Sequence, residues 1–484
     1  MRHGAFIDGQ WQAGNDTWYE KTCPATGATV WEGQAADREQ VGAAISSAQR
    51  AGRTWGTLPL SERRTIIEAY GAALGARVDQ IAEAISRDMG KPLWESRAEA
   101  ATMQAKIAVS IRAQDERAGN RSGDADFGTL QLTHRPHGVM AVLGPFNFPG
   151  HLPNGHIVPA LLAGNTCVFK PSELAPTVAE VMIEAFQDAG LPPGVVNVVQ
   201  GGRTVGTALL EGEINGVLFT GSASTGLAIH RMFAGRPDVI LALELGGNNP
   251  LILWSPADID AAADIAAQSA FLTTGQRCSC ARRIILPKGR WGDQVVDAIA
   301  DRARELRIGA WDEDDVFMGP LVSSEAAENA VAFQMALARS GGRVVRRLKR
   351  MARGDAFVTA GVIDVSEARS VPDEELFGPF LQIYRVDDFD TALVRANDTR
   401  YGLAGGLVCD DEELWERAQQ NMRVGILNRN RPTVGASGSF PFGGPGLSGN
   451  FRPGAFYAAD YCAWPQASQI RSKAGRLSAV GFPK

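Results

Sequence analysis

Short apolar runs alternate with amphipathic stretches through the middle of this chain, and this alternation constrains the fold more than any other feature. Five such runs lie at residues 139–143, 166–170, 195–199, 216–220 and 239–243. Strands that are apolar along their whole length and separated by helices are typical of a parallel sheet that is covered on both faces. The sequence therefore predicts a doubly wound α/β domain, in which ligands bind at the carboxyl ends of the strands.

Further regions flank this domain. Alanine-rich amphipathic patterns predict mainly helices over residues 36–118. A second α/β series follows residue 249 and continues to about residue 440, with strands at 251–254 and 283–286 and helices at 259–273 and 293–306. Segment 119–137 is rich in Gly, Asp and Arg and then alternates over 129–134, which predicts a loop followed by an exposed strand for an inter-subunit sheet. Domains of ordinary size would divide 484 residues into roughly two to four units.

Charge and cysteine content argue against several classes of function. The chain has 48 basic and 54 acidic residues, and its net charge of −6 argues against general nucleic-acid binding. Six cysteines without repeating spacing predict neither a disulfide framework nor a zinc site, and they favour a reduced, cytoplasmic location. No stretch has the roughly 18 consecutive apolar residues that a membrane span needs. The basic segment 343–353 is expected to be a solvated face.

Cys278 is the candidate nucleophile. It follows a glycine turn and has arginines on both sides, where positive charge favours the reactive thiolate. Glu244 ends an apolar run just before a second glycine turn, so its carboxylate is a candidate general base for chemistry at the thiol. A single buried cysteine is more often an ordinary packed thiol, and Cys280 is expected to be one, because a Cys-x-Cys pair alone supplies too few ligands for zinc.

Asn147 is the candidate oxyanion donor. It lies in the turn 144–150, which follows the first strand and contains two prolines and two glycines. An amide held rigidly at a strand end can donate a hydrogen bond to a developing negative charge. Taken alone, the motif would favour an asparagine that merely suits a turn.

Residues after the later strands suggest a dinucleotide. Lys170 and Glu173 follow the second strand and would face a ribose, where a carboxylate disfavours a 2′-phosphate and so points to NAD rather than NADP. The alternative for Glu173 is a carboxylate that only stabilises a helix start. Glu375 and Phe377 precede a Gly-Pro turn and could hold the nicotinamide ribose and ring, although alone they indicate a helix end.

A glycine turn at 219–226 joins the fourth strand to a helix, whose first amides can bind a pyrophosphate. Leu227 replaces the lysine of a Walker loop, which excludes that motif. The predicted pyrophosphate-binding residues are Gly221, Ser222, Ala223, Ser224, Thr225 and Gly226.

Seven motifs in order resemble the aldehyde dehydrogenase superfamily: PFNFP, FKPSE, FTGSASTG, ELGGNNP, GQRCSCARR, EELFGP and FPFGG. The resemblance covers nearly the whole chain and implies an α/β fold with a Rossmann-type NAD domain, an α/β catalytic domain and a small β arm for oligomerisation. The implied limits are 1–118 and 138–249 for the NAD domain, 250–446 for the catalytic domain, and 119–137 with 447–484 for the arm and tail. A homodimer or homotetramer is expected.

The resemblance also implies a mechanism that uses NAD and no metal. Cys278 attacks an aldehyde, Asn147 and the backbone N–H of Cys278 stabilise the oxyanion, and Glu244 activates the water that hydrolyses the resulting thioester. Rival classes are a cysteine hydrolase or acyltransferase without redox chemistry, and a binding protein that reuses the fold. The nucleotide motifs oppose the first, and the intact catalytic set opposes the second.

Residues 147–157, 243–250, 278–282 and 457–465 are similar to one branch, the N-succinylglutamate 5-semialdehyde dehydrogenases of arginine catabolism. The alternative is a dehydrogenase of another semialdehyde, that of succinate or glutamate. Arg429 and Arg431 depart from the branch, where tryptophan and lysine are expected. Candidates for binding substrate carboxylates are His151, His156, Arg282, Arg429, Arg431 and Arg452, for each of which a structural role is the commoner outcome.

Overall fold

The computed structural model of this chain describes residues 3–255, 257–476 and 479–482, and two seven-stranded sheets form its centre. The predicted domain limits also include residues 1, 2, 256, 477, 478, 483 and 484, which lie outside the described residues. In spatial order the strands of the first sheet are Ile240–Leu245, Gly216–Gly221, Val139–Leu143, Thr166–Lys170, Val196–Val199, Ala5–Ile7 and Gln10–Gln12.

The five strands that the apolar runs predict form the parallel part of the first sheet. Ala5–Ile7 pairs antiparallel with Val196–Val199 and extends the edge, and the sequence did not predict it because three residues show no periodicity. The chain order reverses between Val139–Leu143 and Gly216–Gly221, which lie side by side. A reversal of this kind leaves a crevice at the carboxyl ends of the two strands.

Helices cover both faces of the first sheet. The region 36–118 is mainly helical, as predicted, and its first helix begins with a capping box in which Asp37 and Gln40 each accept a hydrogen bond from the other's backbone N–H. The helices of this half are Arg38–Trp55, Leu60–Gly75, Val78–Met89, Leu93–Ala118, His151–Ala163, Thr177–Asp188, Arg203–Leu210 and Ala223–Met232.

The second sheet forms the other half and is parallel except at one edge. In spatial order its strands are Arg343–Arg346, Gly361–Asp364, Phe380–Val386, Ala281–Pro287, Asn249–Leu253, Ala404–Val408 and Ile426–Arg429. Its helices are Ile259–Phe271, Arg290–Glu305, Ser324–Arg339, Phe389–Asn397 and Glu412–Asn421. The edge strand Arg343–Arg346 pairs antiparallel and belongs to the basic segment, where Arg343 and Arg350 form ion pairs with Asp364 and Asp355.

A three-stranded arm consists of Arg121–Ala125, Gly128–Pro136 and Ala463–Ile470. The exposed strand predicted at 129–134 is present, but the loop predicted before it is wrong, because residues 121–125 pair antiparallel with that strand. The remaining short elements are Trp18–Thr22, Thr29–Gln34, Arg350–Met351, Gly354–Val358, Pro441–Phe442, Gly454–Ala455 and Ala458–Tyr461, with 3₁₀ turns at Leu272–Gly275 and Gly446–Ser448. None of the helices described is both long and apolar enough to cross a bilayer.

Candidate active site

Two cavities meet at Cys278, Glu244 and Phe442, which line both of them. The large cavity has a volume of 980 Å³ and lies at the carboxyl ends of the first-sheet strands. The small cavity has a volume of 360 Å³ and lies against the helices Leu93–Ala118 and His151–Ala163. The predicted thiol and carboxylate are therefore accessible from both sides, so two different molecules can approach them.

Backbone geometry fixes the position of Cys278. Its segment follows a 3₁₀ turn in which Thr273 and Thr274 have left-handed φ angles of 55° and 56°. The amide of Asn249 donates to the carbonyl oxygens of Cys278 and Cys280, at 2.7 and 2.9 Å. Sequence analysis missed this positioning role, although Asn249 lies inside the ELGGNNP motif that contains Glu244.

The expectation that arginines activate Cys278 is wrong for this state of the protein. Burial, followed by the Glu375 and Glu244 carboxylates, raises the pKa of the Cys278 thiol to about 12, and Arg282 only partly opposes this. The neighbouring guanidiniums are used elsewhere, because Arg282 donates to the carbonyl oxygen of Gly275 and Arg277 donates to Glu95. Sequence proximity to arginine therefore does not make this thiol a thiolate.

Glu244 is an acid that titrates near neutral pH. It lies in the strand Ile240–Leu245 and is 7% exposed. Burial raises the pKa of its carboxyl to about 7, against the opposing effects of Lys106 and a hydrogen bond from Thr220. A carboxylate with this pKa can both accept and release a proton at neutral pH.

Asn147 lies beside Cys278 on the wall of the large cavity and is 4% exposed. Its Nδ2 donates to the backbone carbonyl of Gln276 at 3.0 Å, which orients the amide with one of its two hydrogens. The other hydrogen is not needed for that contact. The fold thus brings Asn147, Glu244 and Cys278 to one cavity, as the sequence predicts.

Lys170 and Glu173 also line the large cavity. Lys170 Nζ donates to the carbonyl oxygens of Gly201 and Pro171, at 2.5 and 2.7 Å, and lies 3.5 Å from Glu173 Oε2. The Glu173 side chain is 48% exposed, so its carboxylate is open to a ligand.

The predicted pyrophosphate residues divide into two groups. Gly221, Ser222, Ser224 and Thr225 line the large cavity, and Ser222 caps the helix Ala223–Met232 by accepting from the N–H of Thr225. Ala223 and Gly226 are not on the cavity wall. Ala223 packs against the core, and a Cβ at Gly226 would collide with the Leu245 side chain, so this glycine serves helix packing.

Glu375 and Phe377 also line the large cavity, near Cys278. Glu375 accepts from Arg282 at 3.3 Å, and a Cβ at Gly246 would collide with its carboxylate. The Phe377 ring contacts Phe146 edge to face, with centroids 5.8 Å apart.

The candidates for substrate carboxylates are not brought together. His151 and His156 line the small cavity, whereas Arg282 is buried among backbone carbonyls. Arg429 forms an ion pair with Glu412, and neither Arg431 nor Arg452 lines either of the two cavities described above. Sequence analysis missed Lys106 and Arg277, which do line the small cavity. Lys106 carries no motif, since it lies on a helix that resembles an ordinary packing helix.

Fold and site together define a class of protein. A doubly wound sheet, a large cavity at its strand ends and a buried thiol with a carboxylate are the features of nicotinamide-dependent dehydrogenases that act through a cysteine. Within the described ranges, no three His, Cys, Asp or Glu side chains are grouped so that they could hold a metal ion.

This chain belongs to the aldehyde dehydrogenase family, whose model matches residues 11–464. It is 53% identical to N-succinylglutamate 5-semialdehyde dehydrogenase 2 of Caulobacter vibrioides, over 97% of this chain and 96% of that protein. Among solved structures it is similar to methylmalonate-semialdehyde dehydrogenase from Oceanimonas doudoroffii, with 26% identity, TM-score 0.92 and coverage of 98% and 99% of the two chains. An NADP-dependent enzyme from E. coli matches with 29% identity, TM-score 0.90 and coverage of 96% and 98%. The predicted family and fold class are confirmed.

Proposed function

We propose that this chain oxidises N-succinyl-L-glutamate 5-semialdehyde to N-succinyl-L-glutamate, with reduction of NAD+ to NADH. The observation that carries the proposal is the junction of the two cavities at Cys278 and Glu244. An aldehyde in the small cavity and a dinucleotide in the large one would reach the same thiol. The overall reaction consumes one water and, because the product is a carboxylate, releases two protons.

Cys278 is the proposed nucleophile. Its thiol first loses a proton to solvent. The sulfur then attacks the aldehyde carbon, and the carbonyl oxygen becomes an oxyanion that the Asn147 amide and the backbone N–H of Cys278 stabilise. Because Gln276 already holds one hydrogen of the Asn147 amide, the donor needs no reorientation during the reaction. Bound NAD+ would supply a positive charge near the thiol and an acceptor for the hydride that leaves the aldehyde carbon as this adduct becomes a thioester.

Glu244 is the proposed base for the second half of the reaction. It removes a proton from water, the hydroxide attacks the thioester carbon, and the Cys278 sulfur leaves as the product acid forms. The pKa of about 7 supports this role, because half of the carboxyl groups are ionised at that pH.

The large cavity fits a dinucleotide in size and chemistry. Its 980 Å³ lies at the upper end of the usual range for ligand pockets, about 300–1,000 Å³. Lys170 and Glu173 would hold the adenosine ribose, the first amides of the helix Ala223–Met232 the pyrophosphate, and Glu375 and Phe377 the nicotinamide side. One of the enzymes with a similar structure is named as NADP-dependent, so the fold alone does not select NAD. The proposal of NAD depends on the Glu173 carboxylate, which would repel a 2′-phosphate.

The choice of substrate rests on the relatives. Identity of 53% to a protein named for this substrate, over nearly both full lengths, favours it above the semialdehydes of succinate and glutamate. A panel of the three aldehydes at saturating NAD+ tests this choice. The highest kcat/KM should belong to N-succinylglutamate semialdehyde, and a clear preference for either alternative would overturn it.

Cys278→Ala tests the chemistry. The variant should form no NADH, while calorimetry should still detect NAD+ binding, because the thiol is absent and the dinucleotide contacts remain. Cys280→Ala is the matched control, since Cys280 is buried and lines neither cavity. Retained turnover in Cys278→Ala would remove Cys278 from the nucleophile role.

We also propose a homodimer or homotetramer in the cytoplasm, assembled through the arm. Leu130, Trp464 and Ile470 are large apolar side chains that the arm exposes in the single chain. Apolar side chains of this size are common in interfaces between subunits. Analytical ultracentrifugation should find a dimer or tetramer, and a monomer at micromolar concentration would contradict the proposal.

A further inference from the structure

Lys106 is a buried cation on the wall of the small cavity, and no role has yet been given to it. It lies on the helix Leu93–Ala118, is 4% exposed and shares the cavity wall with Cys278 and Glu244. Within the described part of the chain, its ammonium has no hydrogen bond and no ion pair within 4 Å. Burying an ammonium without a partner costs desolvation free energy. A buried ammonium that faces a cavity therefore indicates a site for an anion.

The other charged groups of this wall are already paired. Glu99 accepts from Lys91 at 2.6 Å, and Arg277 donates to Glu95, also at 2.6 Å. Burial, with the positive charge of Lys106, lowers the pKa of both His151 and His156 to about 3, so these rings are neutral at physiological pH. Lys106 is thus the cation of the described cavity wall that is free to meet a ligand.

Glu244 does not neutralise Lys106. Glu244 and Lys106 form no ion pair within 4 Å in the described part of the chain, and the positive charge of Lys106 offsets only part of the burial that raises the pKa of the Glu244 carboxyl to about 7. Burial also lowers the pKa of Lys106 to about 8, which shows that Glu244 compensates the ammonium only in part. At neutral pH the small cavity therefore contains a largely protonated ammonium with incomplete compensation.

The fold keeps space open next to Lys106. Gly155 lies inside the helix His151–Ala163, where glycine is less favourable than alanine. A Cβ at this position would meet only Cε of Lys106, at 3.8 Å. Alanine would therefore fit the helix, but its methyl group would occupy cavity space beside the lysine.

We propose that Lys106 is a specificity-determining residue whose ammonium binds a carboxylate of the aldehyde substrate. This inference rests on the proposed function, because the substrate proposed there carries carboxylates in addition to its aldehyde. In this contact the substrate carboxylate becomes the ionic partner of Lys106, and the aldehyde end of the substrate lies toward Cys278. It also gives the enzyme a means to prefer anionic aldehydes over neutral ones of the same size.

Lys106→Met tests the proposal, because methionine keeps the length and apolar stem of the side chain and removes its charge. The aldehydes are N-succinylglutamate semialdehyde, succinate semialdehyde and butanal, of which the last two have equal carbon number and differ in charge. We expect KM for the carboxylated substrate to rise roughly 10- to 100-fold, the range for losing a hydrogen bond between charged groups. The values of kcat, and KM for butanal, should change little.

Two further variants and a binding measurement complete the design. Lys349→Met removes a lysine that lines neither cavity and should change none of these constants. Gly155→Ala keeps the charge but narrows the space, and it should raise KM selectively for N-succinylglutamate semialdehyde. Calorimetry with the product N-succinylglutamate should show the same loss of affinity in Lys106→Met, even if butanal is too slow to measure.

Three results would overturn the assignment. An unchanged affinity for N-succinylglutamate in Lys106→Met excludes the contact. An equal loss of kcat on anionic and neutral aldehydes, without a selective rise of KM for the anionic ones, assigns Lys106 to Glu244 instead. An equal rise of KM for anionic and neutral aldehydes indicates general damage to the cavity. Failure of the proposed function looks different, because wild type would then prefer another aldehyde, and a selective effect of Lys106→Met on a carboxylated one would still support the inference.

Discussion

Glu244→Gln removes a buried acid whose ionisation the fold opposes, and we expect the variant to lose turnover while gaining stability. Burial raises the pKa of Glu244 from its usual 4.5 to about 7. At about 1.4 kcal/mol per pH unit, this difference corresponds to roughly 3 kcal/mol of unfolding free energy. A neutral amide of nearly the same shape does not incur this cost at high pH.

The pH range over which stability changes follows from the protonation state of Glu244 that folding favours. The folded-state pKa is higher than the unfolded one, so the folded protein holds this proton more tightly. The stability that results is complete below pH 4.5 and is lost as pH rises through about 7. Glutamine has no proton to lose. The stability of Glu244→Gln relative to wild type should therefore increase with pH, by roughly 3 kcal/mol in total, and become constant above about pH 8.

Thermal denaturation between about pH 5 and pH 9 measures this difference, and stopped-flow absorbance of NADH measures the chemistry. Steady NADH formation should fall by about 10²- to 10⁴-fold, the usual contribution of a general base. Because Cys278 remains, the first turnover should still give a burst of about one NADH per chain. Mass spectrometry should then find the acyl group on Cys278.

Glu413→Gln is the matched control, since the Glu413 carboxylate is exposed and lines neither cavity. It should leave the rate of NADH formation unchanged. A difference in Tm between Glu244→Gln and wild type that is the same at every pH would refute the energetic reasoning. An unchanged steady rate would remove Glu244 from the base role.

Three further predictions concern position, cofactor and acid stability. Asn249→Ala removes two hydrogen bonds to the Cys278 segment and one from the N–H of Ala404. At roughly 1 kcal/mol per bond, the free energy of unfolding should fall by about 3 kcal/mol, which a lower Tm would show. Single-turnover NADH formation should also slow. Glu173→Ser should raise kcat/KM for NADP relative to NAD by about 10- to 100-fold, because like charges placed together are strongly unfavourable; an unchanged ratio would refute the assignment of NAD. Burial lowers the pKa of His156 to about 3, so the stability that this ring contributes is present above about pH 6.5 and is lost as pH falls toward 3; in His156→Gln the Tm should fall less steeply over that range.

The strand-end residues of the site could be predicted because parallel strands bring their carboxyl ends to one edge. Asn147, Ser222 and Glu244 follow or end three strands that are neighbours in the first sheet. The hairpin at the N-terminus and the strand Arg121–Ala125 could not be predicted in the same way. The first is too short for periodicity, and the second is a polar segment that becomes a strand only by pairing with Gly128–Pro136.

The charge states of the site residues could not be predicted from the sequence. Arginines beside Cys278 in sequence suggested a thiolate, but their guanidiniums bind Glu95, Glu375 and backbone carbonyls, and burial dominates the pKa of the thiol. A pKa depends on solvent exclusion and on charges through space, and sequence separation reports neither.

The sequence by itself determined the fold class, the family and the identity of the candidate nucleophile, base and oxyanion donor. The fold class could be predicted because hydrophobic period and turn residues are local properties. The family and the candidate residues could be predicted from the order of the motifs along the chain. Only the tertiary structure decided which groups are charged and which are paired. It placed Lys106, whose ammonium has no ion-pair partner among the described residues, on the same cavity wall as Glu244 and Cys278. The physical reason is that desolvation and ion pairing arise when distant segments come together.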